Sequence, residues 1–229
     1  MASLNLVIGN RNYSSWSLRP WLALKVAGAD FAETMIPLQT PTTKTQILRY
    51  SSAGKVPVLI ANDTQDGGRA IWDSLAICEY VAERWPDANL WPADMETRAH
   101  ARSISAEMHA GFQALREHMP MNIRASHPGK GMDAHANPGV AADVERIDAI
   151  WHDCRTRHAA AGDFLFGGFT VADCMYAPVV FRFATYAPHL SDPAQAYVEA
   201  MLAHPAMQAW RAAAEAEPET IPSHDGRYA

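Results

Sequence analysis

Apolar residues fall in short runs over the first third of the chain and at helical spacing over the rest. Leu4 to Ile8 is a short apolar run that predicts a strand, and Gly9 to Ser15 is turn-rich. A helix is predicted from there to about Ala27, with Leu18, Leu22 and Leu24–Ala27 as its apolar content. Pro20 limits where that helix starts, because proline is harmless in the first turn and costly later. With Ser17 as the cap, Pro20 is the third helical residue and loses nothing. With Ser15 as the cap, the first turn must distort. Ser14 and Ser15 are therefore expected in the loop just ahead of the helix.

Glu33 to Leu38 reads as a second strand, and Thr42 to Tyr50 as a short helix or helical turn. Val56 to Ala61 is a β-rich run bounded by Gly54 and by Asn62-Asp63. Arg69 to Trp72 is a second such run, reached through a turn holding Gly67 and Gly68, so the two predict a hairpin. A helix follows at once. Asp73 or Ser74 can cap it, Ile77, Tyr80, Val81 and Trp85 recur at its spacing, and Pro86 stops it. The order βαβ then ββα predicts a thioredoxin-like α/β unit over residues 1–86.

Pro86 to Pro92 is a linker, after which residues 87–229 read as an all-helical domain. Ile104, Met108, Phe112, Leu115 and Met119 form one helical stripe, and Val144, Ile147, Ile150-Trp151 and Cys154 form another. Ser126 to Gly139, rich in Gly, Pro and His, is expected to be a mobile loop between them. Thr170 with Asp173 is a capping box opening a helix that Pro178 should kink. Two short helices, Ala194 to Ala203 and Pro205 to Ala216, precede a tail from Pro218 in which no pattern is visible.

The chain has 229 residues, 48% of them hydrophobic, and a formal charge of −6, which argues against nucleic acid or an anionic membrane surface as main partner. No charged leader precedes an apolar run, so no signal peptide is expected, and no apolar run is long enough to span a bilayer. Three cysteines, Cys78, Cys154 and Cys174, all in predicted helices, suit a reducing cytoplasm. The absence of Cys-x-x-Cys tells against a dithiol oxidoreductase. Among ten histidines, His100, His109 and His118 are nine apart, which puts neighbours on opposite helix faces, and no His-Glu-x-x-His occurs; no metal site is expected.

Two features carry chemistry. Pro57 heads a strand. If the Val56–Pro57 bond is cis, Val56 turns its N–H and C=O outward, free to pair with an extended peptide. Asp73-Ser74 opens a helix, where backbone N–H groups and the dipole attract a carboxylate and Asp73 can take an ammonium. Alone, Pro57 reads as a strand start and Asp73 as a cap. Together they suit a small zwitterionic peptide.

Val56-Pro57 followed by Asp73-Ser74-Leu-Ala-Ile resembles the glutathione-binding half of the glutathione S-transferase superfamily, and the capping box resembles that of its helical second domain. Asn12-Tyr-Ser-Ser-Trp-Ser-Leu-Arg-Pro20 is similar to the serine motif of the zeta class, which includes maleylacetoacetate isomerase, with Trp16 where that class has a cysteine. The resemblance implies glutathione as co-substrate. Ser14 would face its sulfur, with Ser15 close behind. Val56 would pair with the cysteinyl backbone, Asp73 and Ser74 would hold the γ-glutamyl end, and Lys55 would reach the glycine carboxylate. A small electrophile would occupy a pocket walled by Met108, His109, Phe112 and Met121. The resemblance also implies a cytoplasmic homodimer acting in detoxification by conjugation, or in a zeta-like isomerisation. A non-catalytic glutathione-binding or scaffold protein on the same fold is the alternative.

Overall fold

In the computed structural model, which describes residues 3–62, 68–133 and 135–228, a four-stranded sheet is followed by a helical domain. Strand β1 (Leu4–Ile8) leads through helix α1 (Ser15–Val26) to β2 (Ala32–Met35). Helix α2 (Thr43–Ile47), strands β3 (Val58–Ala61) and β4 (Arg69–Ile71), and helix α3 (Ser74–Arg84) complete the unit. The sheet order is β2-β1-β3-β4, with β1 parallel to β2 and antiparallel to β3, and β3 antiparallel to β4. This is the thioredoxin-like arrangement. Alternation along β1 divides the core. Leu4, Leu6 and Ile8 join Leu59 in the main cluster, while Val7 meets Val58, Ile36 and Ile47 on the other face. The turn expected at Asp63 and Gly67 lies outside the described residues.

Three strands are shorter than expected, β4 by one residue because it ends at Ile71 rather than Trp72. β2 stops at Met35 because Pro37 has no N–H to give and the Leu38 N–H donates to Asn10 Oδ1 instead (2.8 Å). β3 begins at Val58, the last residue in register with β1, so Val56 and Pro57 precede the ladder; the Val56–Pro57 bond is cis.

The start of α1 departs from the sequence reading. The helix begins at Ser15, with Ser14 as its N-cap residue, and Pro20 lies inside it. Burial outweighs the proline: nine of the twelve residues are buried, because α1 packs against both α3 and α7. Ser17, expected as the cap, is instead a buried helical residue.

The helical domain comprises α4 (Met95–Ala110), α5 (Gln113–His118), α6 (Val140–His158), α7 (Val171–Tyr186), α8 (Asp192–Ala203), α9 (Pro205–Ala216) and α10 (Pro222–Asp225). The stripe from Ile104 to Met119 is buried throughout but is not one helix. It breaks at Gly111 and Phe112, the latter left-handed at φ +61°. Arg116 takes up carbonyls at the break, donating to Gly111 O at 2.9 Å and to Met108 O. Helix α7 is the centre of the domain, with fifteen of its sixteen residues buried. Its capping box forms as expected: Thr170 N–H and Oγ1 donate to Asp173 Oδ2 (2.7 and 2.9 Å), and Leu165 N–H to Oδ1 (3.1 Å). No helix among the described residues is long and apolar enough to cross a membrane.

The tail that looked patternless folds back onto the loop between β1 and α1. Glu217 accepts from the Arg11 N–H at 2.9 Å, and Arg124 donates to the carbonyls of Glu217 and Glu219. Tyr13 Oη donates to Asp225 (2.8 Å) and accepts from Arg124 (2.9 Å) and from the Ile221 N–H (3.1 Å).

Candidate active site

Two cavities meet at the N-terminal end of α1. The first, about 530 Å³, is lined by Lys55, Val56, Pro57, Asp73 and Ser74, with Trp16, Ala53, Trp72 and His109. Its floor is the β3 lead-in and the start of α3. Asp73 is the N-cap of α3, its Oδ1 accepting from the Leu75 N–H (3.1 Å), and its side chain remains 55% exposed. Ser74 is fully buried, yet its hydroxyl has no partner. A buried hydroxyl beside an accessible carboxylate at a helix start fits a ligand bearing both a carboxylate and an ammonium.

The second cavity, about 280 Å³, is lined by Ser14, Ser15, Met121, Arg116, Arg182 and His224, with Tyr13, Leu38 and Pro120, and shares Trp16 and Val56 with the first. Ser14 makes no side-chain bond to the helix end it caps. Its hydroxyl lies 2.7 Å from Ser17 Oγ, which in turn accepts from the Gly9 N–H (3.1 Å). Ser17 thus anchors Ser14 rather than capping the helix.

The expected electrophile wall is corrected in part. Met121 lines the second cavity. His109 turns into the first, its Nε2 3.0 Å from Asp73 Oδ2. Met108 and Phe112 are buried core residues that line neither cavity: Met108 faces inward from α4, and Phe112 sits at the helix break.

Side chains that sequence reasoning passed over dominate the second cavity. Arg182 donates to the carbonyls of Met119 (2.8 Å) and Pro178 (3.2 Å), and Arg116 likewise to carbonyls. Burial, with Arg116 adding to it, pushes the Arg182 guanidinium down to about 9, so it remains a cation at neutral pH. No carboxylate is among the described residues lining this cavity. Trp16 is flanked by guanidiniums, with Arg19 4.4 Å and Arg116 4.7 Å from its ring. Arg19 is fully buried and its terminal nitrogens have no partner; burial lowers its pKa. One signal was available: Arg182 stands in the apolar run Val179-Val-Phe-Arg-Phe183, where a lone charge needs a reason.

Burial pushes the thiols of Cys78 and Cys154 up to about 12 and that of Cys174 well up, so they stay protonated at neutral pH. Among the described residues, no group of three or more His, Cys, Asp or Glu could hold a metal ion.

Residues 13–84 match the model of the glutathione S-transferase N-terminal domain, and residues 98–213 that of the C-terminal domain. The chain belongs to the glutathione S-transferase family. A probable maleylacetoacetate isomerase of Caenorhabditis elegans is 28% identical over 171 residues, 75% of this chain and 74% of that protein. A zeta-class glutathione S-transferase of Euphorbia esula is 29% identical over 111 residues, 48% of this chain and 47% of that protein. A glutathione transferase homologue from Burkholderia, solved with bound glutathione, superimposes with a TM-score of 0.67 at 24% identity, covering 93% of this chain and 99% of that one. Membership of this glutathione S-transferase family supports a glutathione-dependent transferase or isomerase.

Proposed function

We propose that this glutathione S-transferase joins glutathione to, or isomerises through it, a small anionic electrophile. The observation that carries the reading is the pair of adjoining cavities: one lined by Val56, Pro57, Asp73 and Ser74, the other by Ser14, Arg116 and Arg182. In this reading the glutathione backbone pairs with Val56, which lies beyond the β1–β3 ladder. Ser74 and the start of α3 take the γ-glutamyl carboxylate, Asp73 its ammonium, and Lys55 the glycine carboxylate. The sulfur then lies between the cavities, beside Ser14, with Ser15 next to it on the wall. Ser17 turns its hydroxyl to Ser14 Oγ, leaving the Ser14 O–H to donate to the thiolate.

Two desolvated guanidiniums with no carboxylate among the described residues of the cavity wall favour a carboxylate-bearing electrophile, and the same charges stabilise an enolate formed when sulfur adds to a conjugated double bond. The isomerase named among the relatives makes the zeta-like reaction one form of this chemistry. The domain boundary at residues 86–87, the cytoplasmic location and the homodimer remain part of the proposal, the last resting on the family. Light scattering at micromolar concentration should give twice the 25.1 kDa chain mass.

Calorimetry should show glutathione binding that weakens more than tenfold in Asp73→Ala. Turnover of an unsaturated keto acid should exceed that of its methyl ester at least tenfold, and Arg182→Met should remove the preference. Equal rates for acid and ester in the wild type would sink the anionic electrophile. Binding without turnover of any electrophile would leave the non-catalytic glutathione-binding protein.

A further inference from the structure

We infer that His109 is a positioning residue for the ammonium of the γ-glutamyl end, supplied to the glutathione site by the helical domain. The inference rests on reading the first cavity as that site.

Asp73 is held at both oxygens. Oδ1 accepts from the Leu75 N–H, and Oδ2 lies 3.0 Å from His109 Nε2. A carboxylate only accepts, so Nε2 carries the hydrogen. Two donors on two oxygens fix the carboxylate in one orientation. Each oxygen keeps a further lone pair, and the exposed side of Asp73 leaves room for an ammonium to approach.

His109 is itself held. Its ring meets Trp16 edge to face, with centroids 5.3 Å apart. It occupies the last turn of α4, immediately before the break at Gly111. There Arg116 donates to Gly111 O (2.9 Å) and, at 3.5 Å, to the His109 carbonyl itself. The helix end is therefore clamped by a residue of the second cavity. Without His109, Asp73 would retain its capping bond but lose the donor that aims its second oxygen.

The test is a cycle of two ligands against three proteins. The ligands are glutathione and glutaryl-cysteinylglycine, which is glutathione lacking its ammonium. The proteins are wild type, His109→Phe, which keeps an aromatic ring against Trp16, and His109→Gln, which keeps an N–H donor. His109→Phe should weaken glutathione about fivefold, the scale of one charge-assisted hydrogen bond at a half-exposed site, and leave the deaminated analogue unchanged. His109→Gln should restore most of the loss. Equal loss for both ligands would mean that His109 only packs against Trp16, and overturns the inference. So would unchanged glutathione affinity in His109→Phe, or a folded His109→Gln no better than Phe. If wild type binds neither ligand, the glutathione site itself falls, a result distinct from all of these.

Discussion

Removing the Ser14 hydroxyl should leave an enzyme slower than wild type at neutral pH and faster at alkaline pH. A free thiol has a pKa of about 8.5, so only ~3% is thiolate at pH 7. Bringing it down by ~2 units requires ~2.7 kcal/mol of preference for the anion. The start of α1 contributes roughly 0.3–1 kcal/mol, and one hydrogen bond to a charged group about 1.5–3. Ser14 is 5% exposed, so its bond belongs well within that range, near 2 kcal/mol. Ser14→Ala should then raise the bound thiol pKa by ~1.5 units. At pH 7 thiolate falls roughly eightfold, but each thiolate becomes about fivefold more nucleophilic at a Brønsted slope near 0.45. The net defect is only ~2-fold. Above pH 9 both enzymes are ionised and the variant should be ~4-fold faster. Thiolate ultraviolet absorbance against pH gives the pKa shift, and single-turnover rates with a reactive electrophile give the crossing. The variant Ser17→Ala leaves the Ser14 hydroxyl in place but removes its anchor, along with the Gly9 N–H acceptor; the anchor is worth about a tenth to a third of that bond, so the thiol pKa should lie between wild type and Ser14→Ala. A Ser14→Ala defect of constant size from neutral to alkaline pH would refute the reasoning and make the hydroxyl a positioning group.

Three further outcomes concern the frame around the site. Asp173→Ala strands the donors of Leu165 and Thr170 in the core and removes a cap, so it should cost about 2–4 kcal/mol by urea titration, with Tm lower by roughly 6–12 °C. Tyr13→Phe leaves the buried Ile221 N–H without its acceptor, so amide exchange at Ile221 should quicken while exchange in the sheet core is unchanged. Burial lowers the His224 pKa, so the unfolded chain takes up the proton first; the stability from this group is present above about pH 6.5 and lost as pH falls below it. His224→Phe should therefore flatten part of the fall in urea midpoint between pH 7 and pH 5.

The sheet and α3 were legible because their signals are local. Leu4–Ile8 carries its own alternation, and Asp73 before Ser74 carries its own cap. The start of α1 was not legible, because the rule that Pro20 belongs in the first turn assumes an isolated helix. In the fold α1 is packed between α3 and α7, and that burial overrides a local penalty that sequence spacing alone puts first. The tail failed differently. Glu217, Ile221 and Asp225 have no periodicity because their partners, Arg11, Tyr13 and Arg124, lie about a hundred or more residues away.

The same contrast runs through the site. Val56, Asp73 and Ser74 could be named in advance because a strand lead-in and a helix cap fix their backbone and bring them to one cavity. The second cavity is made of residues from the loop before α1 and from α1, α5, α7, the segment between α5 and α6, and the tail, with no shared spacing. The family resemblance put Met108 and Phe112 on its wall, yet both belong to a Met and aromatic stripe that fills the core. The break at Gly111 rotates that stripe, so Phe112 enters the core and Arg116 emerges beside Trp16. What marks this cavity is charge that burial makes expensive, as at Arg182. A lone arginine in an apolar helix states that cost without stating what offsets it. Only the fold adds Arg116 to the same wall, with no carboxylate among the described residues there, and it is this pairing that supports the proposed preference for an anion.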